Sequence, residues 1–221
     1  MSRVAAVREL ILGGQKSGKS GAAEARAAQW LAAGPSGGLA HEACLLATAQ
    51  AGDAEMADRI ARHRADRARR LPGLHTLEVG APSGQAMPYG PPAAGSGGGR
   101  AVLGGARLAE SLLATTAPHR LLVVDCLTLW LTQLALPLQG QPADAAALAA
   151  AVDHLVQALQ RARGPVVLVS NEIGLGVSPM SPEARRFIDL QGRLHQQLAA
   201  ACERVTLMVA GCALAIKREP G

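Results

Sequence analysis

Short apolar runs punctuate the chain, and between them lie longer stretches whose apolar positions recur every three or four residues. ELILGG (9–14), ACLLAT (43–48), LHTLEV (74–79), RLLVVD (120–125), PVVLVS (165–170) and RVTLMVA (204–210) predict strands, and ALAIK (213–217) an added edge strand. Several are continuously apolar, as strands covered on both faces are. Helices are predicted over 19–33, 53–70, 104–116, 144–163 and 183–202. In the last, Phe187, Leu190, Leu194, Leu198 and Ala201 share one helical face. This alternation implies an α/β fold, a mainly parallel sheet with right-handed crossovers, flanked by helices. Residues 80–103 are rich in Gly, Pro and Ser and predict a loop insertion. The 221 residues suit a single domain over 1–221.

Composition narrows the function. Aromatic residues make up 2% of the chain, so the core must be aliphatic, and stacking groups for nucleic acid are scarce. The net charge of +5 is local: residues 59–70 hold six Arg and one Asp, and the remainder is balanced. One basic segment on a neutral body points to a single anionic ligand rather than a polyanion track, or to a solvated helix face. Cys44, Cys126, Cys202 and Cys212 form no CxxC pair and no zinc spacing; three of them sit within apolar runs and read as small core residues in a reducing compartment. No run is long and apolar enough for a membrane span, and the N-terminus lacks a cleavage pattern; a cytoplasmic location is expected.

The strongest motif is GGQKSGKS, Gly13–Gly14–Gln15–Lys16–Ser17–Gly18–Lys19–Ser20, which matches GxxxxGK[ST]. A strand enters it and an Ala-rich helix leaves it, the context the motif requires, so the fold is expected to be P-loop NTPase-like. Backbone N–H groups and the helix N-terminus would cradle phosphates, Lys19 would reach the β- and γ-phosphates, and Ser20 would ligate Mg²⁺. RLLVVD delivers Asp125 at a strand tip, where a second metal ligand belongs; it could equally cap the CLTLWLTQL segment that follows.

Two further constellations carry possible chemistry. In AEMADRIARHRADR (54–67), Met56, Ile60 and His63 share a helix face among Arg59, Arg62, Arg64 and Arg67. A neutral imidazole can attack phosphorus while guanidinium groups neutralise its oxygens; a half-buried histidine on an amphipathic helix explains the same pattern. In VVLVSNEIGLGVSP (166–179), a strand ends in Asn171 and Glu172 before two glycines and a proline. Polar groups there sit where α/β folds bind ligands, and Glu172 could take a proton from a substrate hydroxyl. A turn with an ordinary cap is the plainer alternative.

Taken together, ILGGQKSGKS with AAEARA, EMADRIARHR, VVDCLTLWLTQL and the stretch from Val166 to Gly211 resemble the bifunctional adenosylcobinamide kinase / adenosylcobinamide-phosphate guanylyltransferase family of cobalamin biosynthesis. The resemblance implies a homotrimeric P-loop enzyme that phosphorylates adenosylcobinamide with ATP or GTP. It then passes GMP from GTP, through a guanylylated histidine, to give adenosylcobinamide-GDP. It places that histidine at His63. It places nucleotide contacts on Gly13 to Ser20, on Thr48, Ala49 and Gln50, on Arg64, Ala65, Asp66 and Arg67, and on Glu78 and Asp125. Lys19 and Glu172 complete the expected catalytic set, with Mg²⁺ on Ser20 and Asp125. Gln15 and Lys16 stand where the family more often has Ala-Arg, which keeps the charge but not the guanidinium fork. The readings that compete with it are a P-loop kinase or NTPase for another small molecule, and a non-catalytic nucleotide switch.

Overall fold

The computed structural model describes residues 7–35, 38–49, 54–79, 102–138 and 140–218. Its seven strands are β1 (Arg8–Gly13), β2 (Glu42–Ala47), β3 (Leu74–Glu78), β4 (Arg120–Asp125), β5 (Val166–Val169), β6 (Arg204–Val209) and β7 (Cys212–Lys217). They form one sheet in the order β3-β2-β4-β5-β1-β6-β7, parallel except for β7, which runs antiparallel to β6. The helices are α1 (Lys19–Ala32), α2 (Ala54–Arg70), α3 (Val102–Thr115), α4 (Leu127–Ala135), α5 (Ala145–Gln160) and α6 (Pro182–Ala201). The expected parallel sheet flanked by helices is therefore what the chain forms.

Alternation along the strands builds two cores. Leu10, Leu122, Val124, Val166 and Leu168 point to one face, where they meet Leu108 and Leu112 of α3, Trp130 of α4, Leu155 of α5 and Leu194 of α6. Ile11, Leu45, Val123, Val167 and Val169 point to the other, against Ala23 and Ala27 of α1. Small residues on α1 let that helix lie close to the strands. Leu194 and Leu198 of α6 are fully buried, and Phe187, Leu190 and Ala201 pack at the margin, as the spacing predicts. Cys44, Cys126 and Cys202 are buried, and burial pushes the thiols of Cys44 and Cys202 up to about 12. Cys212 is exposed.

Two elements differ from the sequence reading. The helix list leaves out 127–135, yet α4 forms there with Leu127, Trp130, Leu131 and Leu134 buried at helical spacing. The run is short and follows a strand so closely that strand and helix periods blur. α3 begins at Val102, so the last two residues of the expected loop insertion are helical; residues 80–101 lie outside the described segments.

Helix termini are sharply specified in two cases. Asp144 accepts from Ala147 N ahead of α5, and Ser181 accepts from Ala184 N ahead of α6, with Pro182 at the first turn. α1 is different: its N-cap is Gly18 in the left-handed region, with no side-chain cap, so its first N–H groups are left for another partner.

Candidate nucleotide site and the cluster beside it

The loop between β1 and α1 is wedged from both sides. Glu172 N donates to Gly13 O at 2.8 Å, tying it to the end of β5, and Gly211 N donates to Ser17 O at 3.0 Å, tying it to the β6–β7 turn. That turn has Ala210 and Gly211 at φ 51 and 81, the two positive values of a tight hairpin. Gly13 has no room for a side chain: a Cβ would lie 2.4 Å from Met208 O. Lys16, at φ 57, is a non-glycine residue in the left-handed region, a conformation that turns successive amides toward one concavity. Gly14, Gln15 and Lys16 face solvent, whereas Ser17 and Lys19 are buried.

Lys19 reaches back over this loop, its Nζ donating to Gly14 O at 2.6 Å. Burial pulls its ammonium below the ordinary lysine value, while Cys126 and Asp125 act in the opposite sense. Ser20 Oγ donates to Asp125 Oδ2 at 2.9 Å, so the two residues expected to share a metal are already in contact. Burial raises Asp125 above the usual carboxylate range; the Ser20 hydroxyl and the charges of Arg67, Lys19 and His63 pull it back. A half-buried carboxylate opposed in this way suits a cation. Ser17 Oγ is buried without a partner in the same cradle, as a group meant for a phosphate oxygen would be. Among the described residues, no three His, Cys, Asp or Glu cluster as a metal site.

Asp125 does not cap α4. That position is Cys126, which offers no side-chain cap, and the carboxylate turns to Ser20 instead. Thr48 holds the neighbouring backbone: its hydroxyl donates to Cys126 O at 2.7 Å and accepts from Cys126 N at 2.9 Å, and its carbonyl accepts from Gln133 Nε2. Thr48 therefore shapes the site from within, with no free hydroxyl to offer. Ala49 is half-buried beside it, and Gln50 lies outside the described residues.

α2 carries His63 on its exposed side. Among its described side chains only Ile60 and Arg67 are half-buried. Arg67 and Arg70 reach Glu24 of α1 at 3.5 and 3.2 Å, and Arg64 pairs with Glu78 at the end of β3. Asp66 is engaged by Arg69 on the solvent side, and Ala65 is exposed. His63 nonetheless lies close enough for its charge to act on Asp125.

Beyond Gly13, Glu172 heads a second polar cluster. Its Oε1 accepts from Gly174 N at 2.6 Å, and its Oε2 lies 3.5 Å from His195 Nδ1 on α6. His195 Nε2 meets Ser170 Oγ at 2.8 Å. Burial lowers His195 below the ordinary histidine value, against the pull of Glu172. The sequence reading placed Glu172 here but missed Ser170, Thr128, Gln191 and His195. Polar residues at core-facing positions of α4 and α6 were the available signal.

The family model described as cobinamide kinase / cobinamide phosphate guanyltransferase matches residues 9–81 and 101–216. The chain belongs to this family. The match spans the cradle, α2 and the Glu172 cluster alike, so the cobinamide kinase / guanyltransferase scaffold accounts for nearly all of the described structure. The bifunctional adenosylcobalamin biosynthesis protein CobP of Pseudomonas aeruginosa is 42% identical over 97% of this chain and 99% of its own length. The bifunctional adenosylcobalamin biosynthesis proteins CobU of Escherichia coli and Salmonella typhimurium are 32% and 33% identical, each over 94% of this chain and 98% of their own. The flagellar accessory protein FlaH of Methanocaldococcus jannaschii covers 97% of this chain and 79% of its own at 10% identity and a TM-score of 0.44. As a cobinamide kinase / guanyltransferase, the chain is a transferase of cobalamin biosynthesis. No described helix is long and apolar enough to cross a membrane.

Proposed function

We propose that the protein phosphorylates the side-chain hydroxyl of adenosylcobinamide and then, through His63, transfers GMP from GTP to the resulting phosphate. The observation that carries this reading is the 2.9 Å contact of Ser20 with Asp125 at the cradle, where the charges of Lys19, Arg67 and His63 also bear on the carboxylate. In the first reaction the triphosphate lies along Gly13 to Ser20. Lys19 leaves Gly14 O to meet the β- and γ-phosphates, and the free N–H groups of α1 take the remaining oxygens. Glu172, anchored to Gly13, accepts the proton as the hydroxyl oxygen bonds to the γ-phosphorus and the bridging P–O bond breaks to release the diphosphate.

In the second reaction a ring nitrogen of His63 bonds to the α-phosphorus of GTP and pyrophosphate leaves. An oxygen of adenosylcobinamide phosphate then displaces the histidine. Arg64 and Arg67, freed from Glu78 and Glu24, would neutralise phosphate oxygens during the transfer. Ser20 and Asp125 would hold Mg²⁺, whose charge offsets that of the phosphates when bound. The same reading carries a homotrimeric assembly and a cytoplasmic location.

Incubation with GTP labelled at the α-phosphorus tests the transfer. Label is expected on the protein, stable to base and lost in acid or hydroxylamine, and absent from His63→Ala. Equal labelling of that variant would refute the role of His63. Retained phosphorylation of cobinamide with no label at all would reduce the protein to a kinase.

A further inference from the structure

The polar cluster behind Glu172 has a direction, and the hydrogen-bond inventory of each member sets it. Gln191 Nε2 faces Asn171 O, so that atom of the amide must be the nitrogen. It also donates to Thr128 Oγ1 at 3.0 Å, which accepts a second bond from Asn171 N at 2.8 Å. With both lone pairs of Thr128 taken, its own proton is left for Ser170 Oγ, 3.2 Å away. Ser170 thus accepts from Thr128, and because the Glu172 carboxylate facing Nδ1 can only accept, a neutral ring leaves Nε2 bare for the Ser170 proton at 2.8 Å. A neutral imidazole that accepts at Nε2 carries its proton on Nδ1, and Nδ1 is the atom that faces Glu172 Oε2. The depressed basicity of buried His195 agrees with the neutral ring.

We propose that His195 is the positioning residue for Glu172 in the phosphorylation step: its Nδ1–H, aimed by Thr128 and Ser170, holds one carboxylate oxygen while Gly174 N holds the other. The proposal rests on the reading of Glu172 as the base that receives the acceptor's proton. A carboxylate gripped at both oxygens keeps its remaining lone pairs, one on each oxygen, in fixed directions. The Gly174 contact alone would leave it free to swing about its side-chain bonds.

Glu172 and His195 both line a cavity of about 530 Å³ between the turn after β5 and α6, together with Gly174, Ile188 and Gln196. This gives the acceptor's hydroxyl arm a route to the carboxylate. When the hydroxyl oxygen attacks the γ-phosphorus, its proton passes to Glu172 and the bridging P–O bond breaks. His195 keeps its own proton throughout. Ser170, His195 and Glu172 are ordered like a hydrolytic triad, but Ser170 is 0% exposed, so its hydroxyl serves only to aim the ring.

Two substitutions separate this role from a packing role. In His195→Asn the amide nitrogen replaces Nδ1; in His195→Gln it replaces Nε2 and the donor to Glu172 is lost. With cobinamide and ATP, His195→Gln is expected to lower kcat about 10- to 100-fold with the nucleotide KM unchanged. His195→Asn is expected to restore kcat to within about threefold of the parent. Labelling of the protein by α-labelled GTP should be equal in all variants. Parental kcat in His195→Gln, or equal loss in both variants, overturns the proposal.

Glu172→Gln is run alongside. Parental kcat there removes the base reading itself, whereas loss there with parental His195→Gln removes only the positioning role. If His195→Gln does not fold, Ser170→Ala replaces it. It removes the partner that aims Nε2 and is expected to cost about 3- to 10-fold in kcat, and no change would overturn the proposal.

Discussion

α1 and α2 both bring cationic groups to the site, and they are fastened in opposite ways. α1 is bolted to the sheet. Its Ala23 and Ala27 are buried, and Arg26 makes a two-pronged bond to Glu9, at 2.8 and 3.2 Å, that Thr206 completes from β6. Glu9 is buried, and although burial alone would raise its carboxyl, the bonds from Arg26 and Thr206 hold it below the ordinary value. α2 offers little apolar surface and is tied through Arg67 and Arg70 to Glu24 and through Arg64 to Glu78, partly in solvent. Groups that must hold a phosphate still belong on the first helix. On the proposed mechanism, a histidine that must meet one phosphorus and later be approached by another substrate would gain from the looser hold of the second.

The sharpest way to break this contrast is at Lys19. Lys19→Met is expected to lower both phosphorylation and guanylyl transfer by about 100- to 1000-fold with an unchanged circular dichroism spectrum. Retention of either activity would show that the cradle is not shared. Next in size is the bolt itself. Glu9→Gln leaves Arg26 without its partner and is expected to cost about 2–4 kcal/mol in urea denaturation at neutral pH. Because the folded Glu9 is depressed, its contribution is complete above the free value of 4.5 and is lost as pH falls through the lower folded value. The stability gap between parent and variant should therefore close under acid, and a gap that widens there would contradict the assignment.

Smaller effects are expected on the α2 side. Glu24→Gln should cost about 1–2 kcal/mol of stability, less than Glu9→Gln, because Arg67 loses a largely buried partner while Arg70 stays in water. It should also slow labelling by α-labelled GTP several-fold while phosphorylation of cobinamide stays near the parental rate. Smallest is the effect of salt. Raising ionic strength from roughly 0.05 M to roughly 0.5 M should lower guanylyl transfer about twofold relative to phosphorylation, because pairs in solvent are screened and buried ones are not. A ratio independent of salt would mean that α2 is held by something other than these pairs.

The parallel strands were legible because burial on both faces leaves continuous apolar runs, and the cradle because its chemistry needs fixed residues at fixed spacing. α4 was obscured because nine residues after a strand hold too few turns for a helical period to stand out. Glu9 was hidden inside an apolar run, its partner Arg26 lying on the next helix. The cluster of Thr128, Ser170, Gln191 and His195 comes from three elements, so no local window contains it. Its hydrogen-bond directions emerge only when all four side chains are placed together. Thr48 was found from the resemblance, but its service to Cys126 depends on β2 and β4 lying side by side.

The uncapped start of α1 has a consequence for turnover. Backbone amides do not distinguish a nucleotide's tail from the pyrophosphate that guanylyl transfer would leave behind. On the proposed transfer, that by-product would linger where the next triphosphate must land, and a pyrophosphatase would be needed to clear the way.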